Sequence, residues 1–287
     1  MDYRNNIPLK IILLMLLFNI IHYTVYSQKF VSNKRVHSYE EGINYFGEDK
    51  RPFMVCEQYN EFEIDSLQDV FCQVMENAKT TREKAVTAAN FLVTLPHVIP
   101  YAYESHCEGY ELAWKYTRKG LFLKNIVENG RLYPAWGCDI LSSKLPLERK
   151  ETLTNLGDTY KVGFHCSSFI RWCLYNADAV TKNILEGSWA NDFGKFPGSK
   201  QIPLKDGLQQ IRPGDLLYFP VDERNGHIAI VIGFKNETVT FIESALWGGD
   251  HTDSRNGLRW RTFNKKTTDF ETYRFKWLIQ MSDVYGD

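Results

Sequence analysis

The sequence predicts an α+β fold in which one helix packs on a mostly antiparallel sheet of five strands. Residues 163–177, GFHCSSFIRWCLYNA, repeat apolar side chains at helical spacing. The chain after residue 214 alternates short apolar segments with short connections, which is typical of successive strands. Short connections join antiparallel neighbours, because parallel neighbours need a long crossover. A helix lying on such a sheet is an α+β arrangement.

The composition is that of an ordinary globular protein. The chain has 287 residues, a formal net charge of −1, 44% hydrophobic residues and 24% charged residues, which is ample for a sizeable core. This length fits one main folded domain with an N-terminal extension. A net charge near zero provides no basic stripe of the kind that binds nucleic acid, so we expect no nucleic-acid partner.

The first 27 residues have the pattern of a signal peptide. A weakly basic start precedes the apolar run IILLMLLFNII, and Val25, Tyr26 and Ser27 follow as a cleavage site that ends in a small residue. We therefore expect a secreted or cell-surface protein. An uncleaved membrane anchor is the alternative, although the apolar run is short of the ~20 residues that a span needs. The polar stretch 28–63 is expected to be a linker or arm.

Residues 64–150 are predicted to form a helical N-terminal region. Apolar residues recur at helical spacing between Ile64 and Val74, which predicts one helix. Thr80 and Glu83 have the spacing of a capping box and predict the start of a second helix, which Pro96 ends.

Cys166 lies at the start of the central helix, where Phe169 and Ile170 open an apolar face. The unpaired N–H groups and the positive dipole end of a helix N-terminus lower the pKa of a thiol, which favours the nucleophilic thiolate. His227 opens a buried-looking strand further along the chain and would serve as the base. A lone cysteine at a helix start is more often a small core residue, so this pairing depends on the accompanying motifs.

Five strands are predicted in the second half of the chain. The Gly- and Pro-rich stretch 193–213 is expected to be a loop between the helix and the sheet. The strands follow at short spacing and cover Asp215–Val221, His227–Phe234, Thr238–Ala245, Gly257–Phe263 and Phe275–Met281. Residues 151–287 are therefore expected to form the catalytic domain.

Three linked motifs resemble those of the NlpC-type cell-wall peptidases, a superfamily of papain-like cysteine peptidases. They are the helix GFHCSSF, the strand PGDL and the strand GHIAI, in this order. The stretches YPAWGC and MSDVY add a likeness to an exported Firmicutes subgroup, in which a helical region precedes the core. The resemblance implies a papain-like core. It also implies a cysteine peptidase or amidase that hydrolyses peptidoglycan stem peptides at the bond between D-Glu and the diamino acid.

The resemblance assigns roles to individual residues. Cys166 would attack the amide carbonyl, His227 would carry the proton, and a polar residue on the next strand would orient the imidazole. Counting along the hairpin places Glu243 at this third position, where the family commonly has His; a carboxylate is chemically adequate there. The alternative for Glu243 is an edge carboxylate that faces water. Asp250 and His251 are weaker candidates for the third role.

The neighbours of Cys166 depart from the family pattern. The common motif has Asp before the Cys and Gly after the Ser, whereas this chain has His165 and Ser168. In the resembled family the Asp helps to hold a free amine of the substrate, so His165 puts recognition of that amine in question. We expect the substrate to be bordered by His165, Ser167, Ser168 and Trp247.

The six cysteines differ in whether they can form disulfides. Cys166 and Cys173 are seven residues apart on one helix, about 10 Å along its axis and beyond disulfide reach. Up to two disulfides are open to the other four, which are Cys56, Cys72, Cys107 and Cys138. The chain has neither C-x-x-C nor H-E-x-x-H spacing, so no metal is expected, and no cofactor either.

Two other functions remain open from sequence. A cell-wall-binding module of the same fold, with weak or no turnover, would carry the same motifs, and the departures around Cys166 motivate it. An acyl transferase would form the same acyl-enzyme and differ only in whether an amine or water completes the reaction. Alkylation by iodoacetamide separates a binding module from an enzyme, because an activated thiolate reacts fast at neutral pH. The sequence indicates no oligomeric state.

Overall fold

The computed structural model describes residues 61–95, 98–99, 101, 119–121, 124–128, 131–135, 164–181, 185, 188–221, 226–246 and 256–287. Within these residues the fold is α+β, as predicted. The expected signal peptide, most of the arm, and Trp247, Asp250 and His251 lie outside them. The domain boundaries stay a prediction. No helix in the described ranges is long and apolar enough to cross a membrane.

Two helices precede the central helix, α1 over Glu61–Asn77 and α2 over Thr81–Val93. Helix α2 starts with the predicted capping box. The Thr80 hydroxyl accepts the Glu83 N–H at 3.1 Å, and the Glu83 carboxylate accepts the Thr80 N–H at 3.2 Å. The rings of Phe71 in α1 and Phe91 in α2 pack edge to face with centroids 5.2 Å apart. These contacts join the two helices into one layer.

A hairpin interrupts the region that the sequence analysis expected to be helical. Strand β1 covers Lys124–Glu128 and pairs in antiparallel register with β2, which covers Arg131–Ala135. Pairing of Glu128 with Arg131 leaves a two-residue connection, which in sequence is Asn-Gly. This dipeptide is the strongest short hairpin signal, because both of its residues adopt a positive φ easily.

The central helix α3 covers Cys166–Asn176 and is buried on almost every side. Phe169 and Ile170, on the predicted apolar face, are fully buried. The opposite side is covered as well, because Trp172 packs on Phe71 of α1 with ring centroids 5.4 Å apart. Its indole N–H donates to the carbonyl of Gly120 at 3.0 Å. The central helix therefore contacts the sheet on one side and α1 and α2 on others, and α2 also packs directly on β5, β6 and β7. The apolar pattern of one face did not reveal these additional contacts.

The sheet has six strands, all paired antiparallel, in the order β3-β8-β4-β5-β6-β7. The strands are β3 Lys200–Pro203, β4 Leu216–Pro220, β5 Gly226–Lys235, β6 Thr238–Ala245, β7 Gly257–Asn264 and β8 Trp277–Gln280. Two short helices flank it, α4 Leu204–Gly207 and α5 Ser282–Tyr285.

The predicted count of five strands is wrong by one. Strand β3 lies in the stretch that we expected to be a loop, and it pairs with β8 at the edge of the sheet. An edge strand tolerates Pro203, because the missing N–H is not needed by a further neighbour. The short KQIP segment has no apolar alternation, and only its partner β8 makes it a strand.

Both faces of the sheet are buried. On β5, Ile228 and Ile230 belong to the core shared with α3, whereas Ala229 and Val231 belong to a second core on the other face. A strand buried on both sides reads as a continuous apolar run, which explains the segment IAIVI. His227 lies just before this run, where the strand emerges from the core.

Candidate active site

The start of α3 meets the start of β5. The Cys166 Sγ atom lies 3.9 Å from the carbonyl oxygen of Gly226 and 3.8 Å from the Ser167 hydroxyl. Only 7% of Cys166 is exposed. Glycine is needed at position 226, since a Cβ there would come within 2.8 Å of the carbonyl oxygen of Phe219. The thiol thus sits at a tight junction between a helix N-terminus and a strand.

His165 and Ser168 close the N-terminus of α3 as a capping box. The Ser168 N–H donates to His165 Nδ1 at 3.3 Å, and the Ser168 hydroxyl accepts the His165 N–H at 3.1 Å. An imidazole takes the place of the usual Ser, Thr or Asp cap. Ser167 and Ser168 are both buried, and Trp247 lies outside the described residues. Contact of these four side chains with a substrate stays a prediction.

His227 and Glu243 are joined by a hydrogen bond on adjacent strands. The His227 Nε2 atom lies 2.8 Å from Glu243 Oε2. The register pairs Ile230 of β5 with Ile242 of β6, and this pairing sets His227 and Glu243 on one face of the hairpin. Glu243 is 0% exposed, so it is not an edge carboxylate that faces water.

The electrostatics couple Cys166 to His227. Burial alone raises the pKa of the Cys166 thiol, but the hydrogen bond and the charge of His227 outweigh burial and lower it. Burial likewise lowers the pKa of His227, and its hydrogen bonds to Cys166 and Glu243 reverse this and raise it to about 9. Because Nε2 is bonded to Glu243, Nδ1 is the ring nitrogen left to interact with the sulfur. The arrangement favours a thiolate beside an imidazolium.

Two arginines converge on Glu243. Arg261 of β7 donates from Nε to Oε1 at 3.2 Å, and Arg274 donates from its guanidinium to Oε2. Burial raises the pKa of Glu243, but His227 first and then Arg274 outweigh it, so the net shift is strongly downward.

Sequence reasoning missed both Arg261 and Arg274. On β7, Arg261 and its neighbour Arg259 alternate with apolar residues along a strand that is mostly buried, and charged side chains in such a strand require an anionic partner. That signal was available for Arg261. Arg274 gives none, because its contact with Glu243 is long-range in the chain.

A third arginine lies on the central helix itself. Arg171 is buried, and its guanidinium donates to the carbonyl of Ser188 at 2.8 Å. Burial lowers the pKa of Arg171 to about 9, while its attraction to Cys166 acts in the opposite direction. Sequence reasoning did not identify this charge, which shares the buried surroundings of the thiol.

The other described thiols differ from Cys166. Burial raises the pKa of Cys173 well above its ordinary value, and Cys173 does not pair with Cys166, as predicted. Cys72 is an exposed free thiol, so the candidates for a disulfide narrow to Cys56, Cys107 and Cys138, outside the described residues. Within the described part of the chain, no group of three or more His, Cys, Asp or Glu side chains is placed to hold a metal ion.

Residues 155–245 match the family model described as "CHAP domain". This is a papain-like domain of cysteine peptidases and amidases found in NlpC-related cell-wall hydrolases, and the match confirms the resemblance inferred from the motifs. It spans Cys166, His227 and Glu243. It indicates a peptidoglycan-hydrolysing amidase or peptidase in general. The chain matches no curated protein and no solved structure.

Proposed function

We propose that this chain, through its CHAP domain, is a cysteine endopeptidase that cleaves the stem peptides of peptidoglycan. One observation carries the proposal, namely the electrostatic coupling of Cys166, at the mouth of a helix, to His227, which is itself hydrogen-bonded to Glu243. A nucleophile beside a base, with a third group that orients the base, is the arrangement that acyl transfer requires. Bound metal is not part of the proposal.

Acylation begins when the Cys166 thiolate attacks the carbonyl carbon of the scissile amide. The backbone N–H of Cys166, in the first turn of α3, is the proposed donor to the oxyanion that forms. The C–N bond then breaks as the His227 imidazolium transfers its proton to the leaving amine. The product of this half-reaction is a thioester on Cys166 beside a neutral imidazole.

Deacylation uses the same residues in reverse order. The neutral His227 accepts a proton from a water molecule, whose oxygen attacks the thioester carbon. The C–S bond breaks, and Cys166 leaves as a thiolate while His227 is again an imidazolium. Glu243 holds Nε2–H throughout, which keeps the lone pair of Nδ1 directed at the reacting atoms.

The bond proposed for cleavage is that between D-Glu and the diamino acid, as the resemblance implies. His165 takes the place of the Asp that holds a free substrate amine in related peptidases, and its Nδ1 serves as a helix cap. We therefore propose that this chain does not require a free amine on the substrate. Stem peptides still attached to the glycan strand are then suitable substrates.

Digestion of purified peptidoglycan tests the proposal. The native chain and Cys166→Ala are incubated with intact sacculi, and the soluble products are analysed by mass spectrometry. We expect new amino termini on the diamino acid with the native chain and none with the variant. Release of intact stem peptides from the sugar would instead assign an amidase. Products that carry an added amine would assign a transferase.

Export is part of the same proposal, because peptidoglycan lies outside the cytoplasmic membrane. The pattern of residues 1–27 supports it. Amino-terminal sequencing of the protein from the culture medium and from the membrane fraction distinguishes cleavage after Ser27 from an uncleaved anchor.

A further inference from the structure

The carboxylate of Glu243 has three donors for its two oxygens. Oε1 accepts from Arg261, while Oε2 accepts from both His227 and Arg274. The three donors come from different elements, namely β5, β7 and the segment before β8. Arg261 and Arg274 are themselves only 20% and 27% exposed at their side chains. Orienting an imidazole requires one hydrogen bond, so two further cations need a separate explanation.

The charges of His227 and Cys166 change during acylation, and this change explains why Glu243 has two arginine partners. In the resting state, the His227 imidazolium lies between two anions, the Cys166 thiolate and Glu243, and stabilises both. Once the imidazolium has given its proton to the leaving amine, His227 is neutral and Cys166 is a thioester. Glu243 is then a fully buried anion beside a neutral ring. An uncompensated buried carboxylate costs several kcal/mol, and it relieves this cost by taking up a proton.

A protonated Glu243 would stop the second half of the reaction. Its O–H would donate to Nε2, and the proton of the neutral ring would then reside on Nδ1, the nitrogen left to interact with the sulfur. In that tautomer His227 has no lone pair to accept a proton from water. Deacylation therefore depends on Glu243 staying ionised while His227 is neutral. A guanidinium keeps its charge at every pH at which the enzyme works.

We propose that Arg274 and Arg261 are positioning residues that keep Glu243 ionised when His227 is neutral, so that the imidazole stays in the tautomer that activates water. This inference rests on the proposed function. It assigns the two arginines to deacylation, because Glu243 lies beside a charged ring in the resting state and beside a neutral ring only after acylation.

A stacked layer holds Arg274 in place. Its guanidinium carbon lies 4.7 Å from the centre of the Phe275 ring, and the Phe275 ring lies 5.8 Å from the imidazole of His227. A guanidinium over an aromatic face is attracted by the ring quadrupole. The same phenyl ring thus supports both donors to Oε2, and the direction of the Glu243 carboxylate is fixed from one side.

Other ionisable groups around Glu243 do not replace the two arginines. Arg259, directly opposite on β7, directs its Nε to the carbonyl of Asn256 at 2.8 Å. Tyr273 is neutral, because burial raises its pKa well above the ordinary value. Cys166 is an anion or a thioester and interacts with His227, so it supplies no positive charge to Glu243. The described groups that carry a fixed positive charge and bond to the Glu243 carboxylate are therefore Arg261 and Arg274.

Steady-state kinetics on soluble muropeptides test the proposal. Arg274→Gln removes the charge and keeps a donor, Arg274→Lys keeps the charge, and Arg212→Gln is a matched control, since it removes an ion pair with Asp287 outside the candidate site. For Arg274→Gln we expect kcat to fall at least about tenfold and the acid limb of the kcat profile to move up by about one pH unit. Arg274→Lys should recover most of both. A kcat profile equal to that of Arg212→Gln would overturn the proposal.

A second measurement is independent of turnover. In the Cys166→Ala background, 15N NMR of the His227 ring reports which nitrogen carries the proton at high pH, where the ring is neutral. We expect the Nε2–H form when both arginines are present, and a growing share of Nδ1–H with falling pH when both are Gln. Identical tautomers in the two proteins would refute the role. If the native chain cleaves no muropeptide, the proposed function fails, while this spectrum still decides the role of the arginines. Should the double variant not fold, Arg261→Gln alone is compared in the same way.

Discussion

His227 Nε2 lies 2.8 Å from Glu243 Oε2 on the neighbouring strand, and this contact determines which ring nitrogen serves the sulfur of Cys166. The hydrogen bond occupies Nε2 and leaves Nδ1 for the sulfur. It also fixes the plane of the ring, which Phe275 supports from below.

Cys166→Ala is expected to abolish hydrolysis while the free energy of unfolding falls by less than about 2 kcal/mol. The sulfur is small, and the start of a helix tolerates Ala. Hydrolysis of sacculi and urea unfolding are the measurements. Cys173→Ala is the matched control, because it removes the same atom one heptad along the same helix. We expect that variant to keep its activity, and loss of activity in both would contradict a specific role for Cys166.

The rate at which iodoacetamide alkylates Cys166 should be high below the pH range in which ordinary thiols ionise, because His227 lowers the pKa of this thiol. Hydrolysis should fall as the pH rises through about 9, where His227 loses the proton that the leaving amine requires. The sign follows from a raised pKa, since the protonated ring persists below that value.

His227→Ala should slow both reactions. Alkylation is followed by peptide mass mapping, because the exposed Cys72 also reacts. If Cys166 were alkylated at the same rate in His227→Ala, His227 would not be activating the thiol, and the proposed ion pair would be contradicted.

Glu243→Gln is expected to lower turnover by about 10²–10⁴-fold, by analogy with other triads. The amide keeps the shape of the side chain but loses the charge that supports the imidazolium. The change also leaves Arg261 and Arg274 without an anion, so we expect the free energy of unfolding to fall by about 1–3 kcal/mol. Glu271→Gln, at an exposed carboxylate outside the candidate site, is the control. Full activity in a folded Glu243→Gln protein would remove Glu243 from the triad.

Arg82→Gln should destabilise the fold without touching the site. Arg82 of α2 bonds to Asp215 at 3.2 Å and to Asp287 at 2.8 Å, and both Arg82 and Asp215 are buried. Loss of the cation leaves the buried Asp215 carboxylate without its ion pair, with the backbone N–H groups of Arg212 and Met281 as its remaining donors. Breaking a buried ion pair in this way costs about 3–5 kcal/mol. Urea unfolding should show this loss, whereas Arg212→Gln at a half-exposed position should cost less than about 1 kcal/mol. Equal losses in the two variants would contradict the anchoring role of Arg82.

Local patterns were enough to predict the main elements of the fold. The helix at Cys166, the capping box at Thr80 and the strand after His227 all depend on residues close together in the chain. Glu243 was found by counting, because a tight hairpin fixes which residue of β6 shares a face with His227. Each of these signals lies within a short segment of the chain, so each can be recognised without knowledge of distant contacts.

Long-range pairing explains what sequence analysis missed. Strand β3 is a strand only because β8 pairs with it, and Arg274 reaches Glu243 across 31 positions of the chain. Neither contact leaves a periodic pattern. The hairpin of β1 and β2 is different, because its Asn-Gly turn was visible and was not used. The His165 cap was also missed, since an imidazole rarely performs that task.

The 7% exposure of Cys166 limits the shape of what can reach it. The first turn of helix α3 packs against the start of β5, so little of the sulfur is open to solvent. The broad surface of a folded protein cannot bring a carbonyl group close to so enclosed a sulfur, whereas a single extended peptide can. Steric access to Cys166 therefore selects extended peptides before any side chain of the substrate is recognised. Under the proposed function, folded proteins would therefore resist cleavage, while the loose peptides between glycan strands would stay open to it.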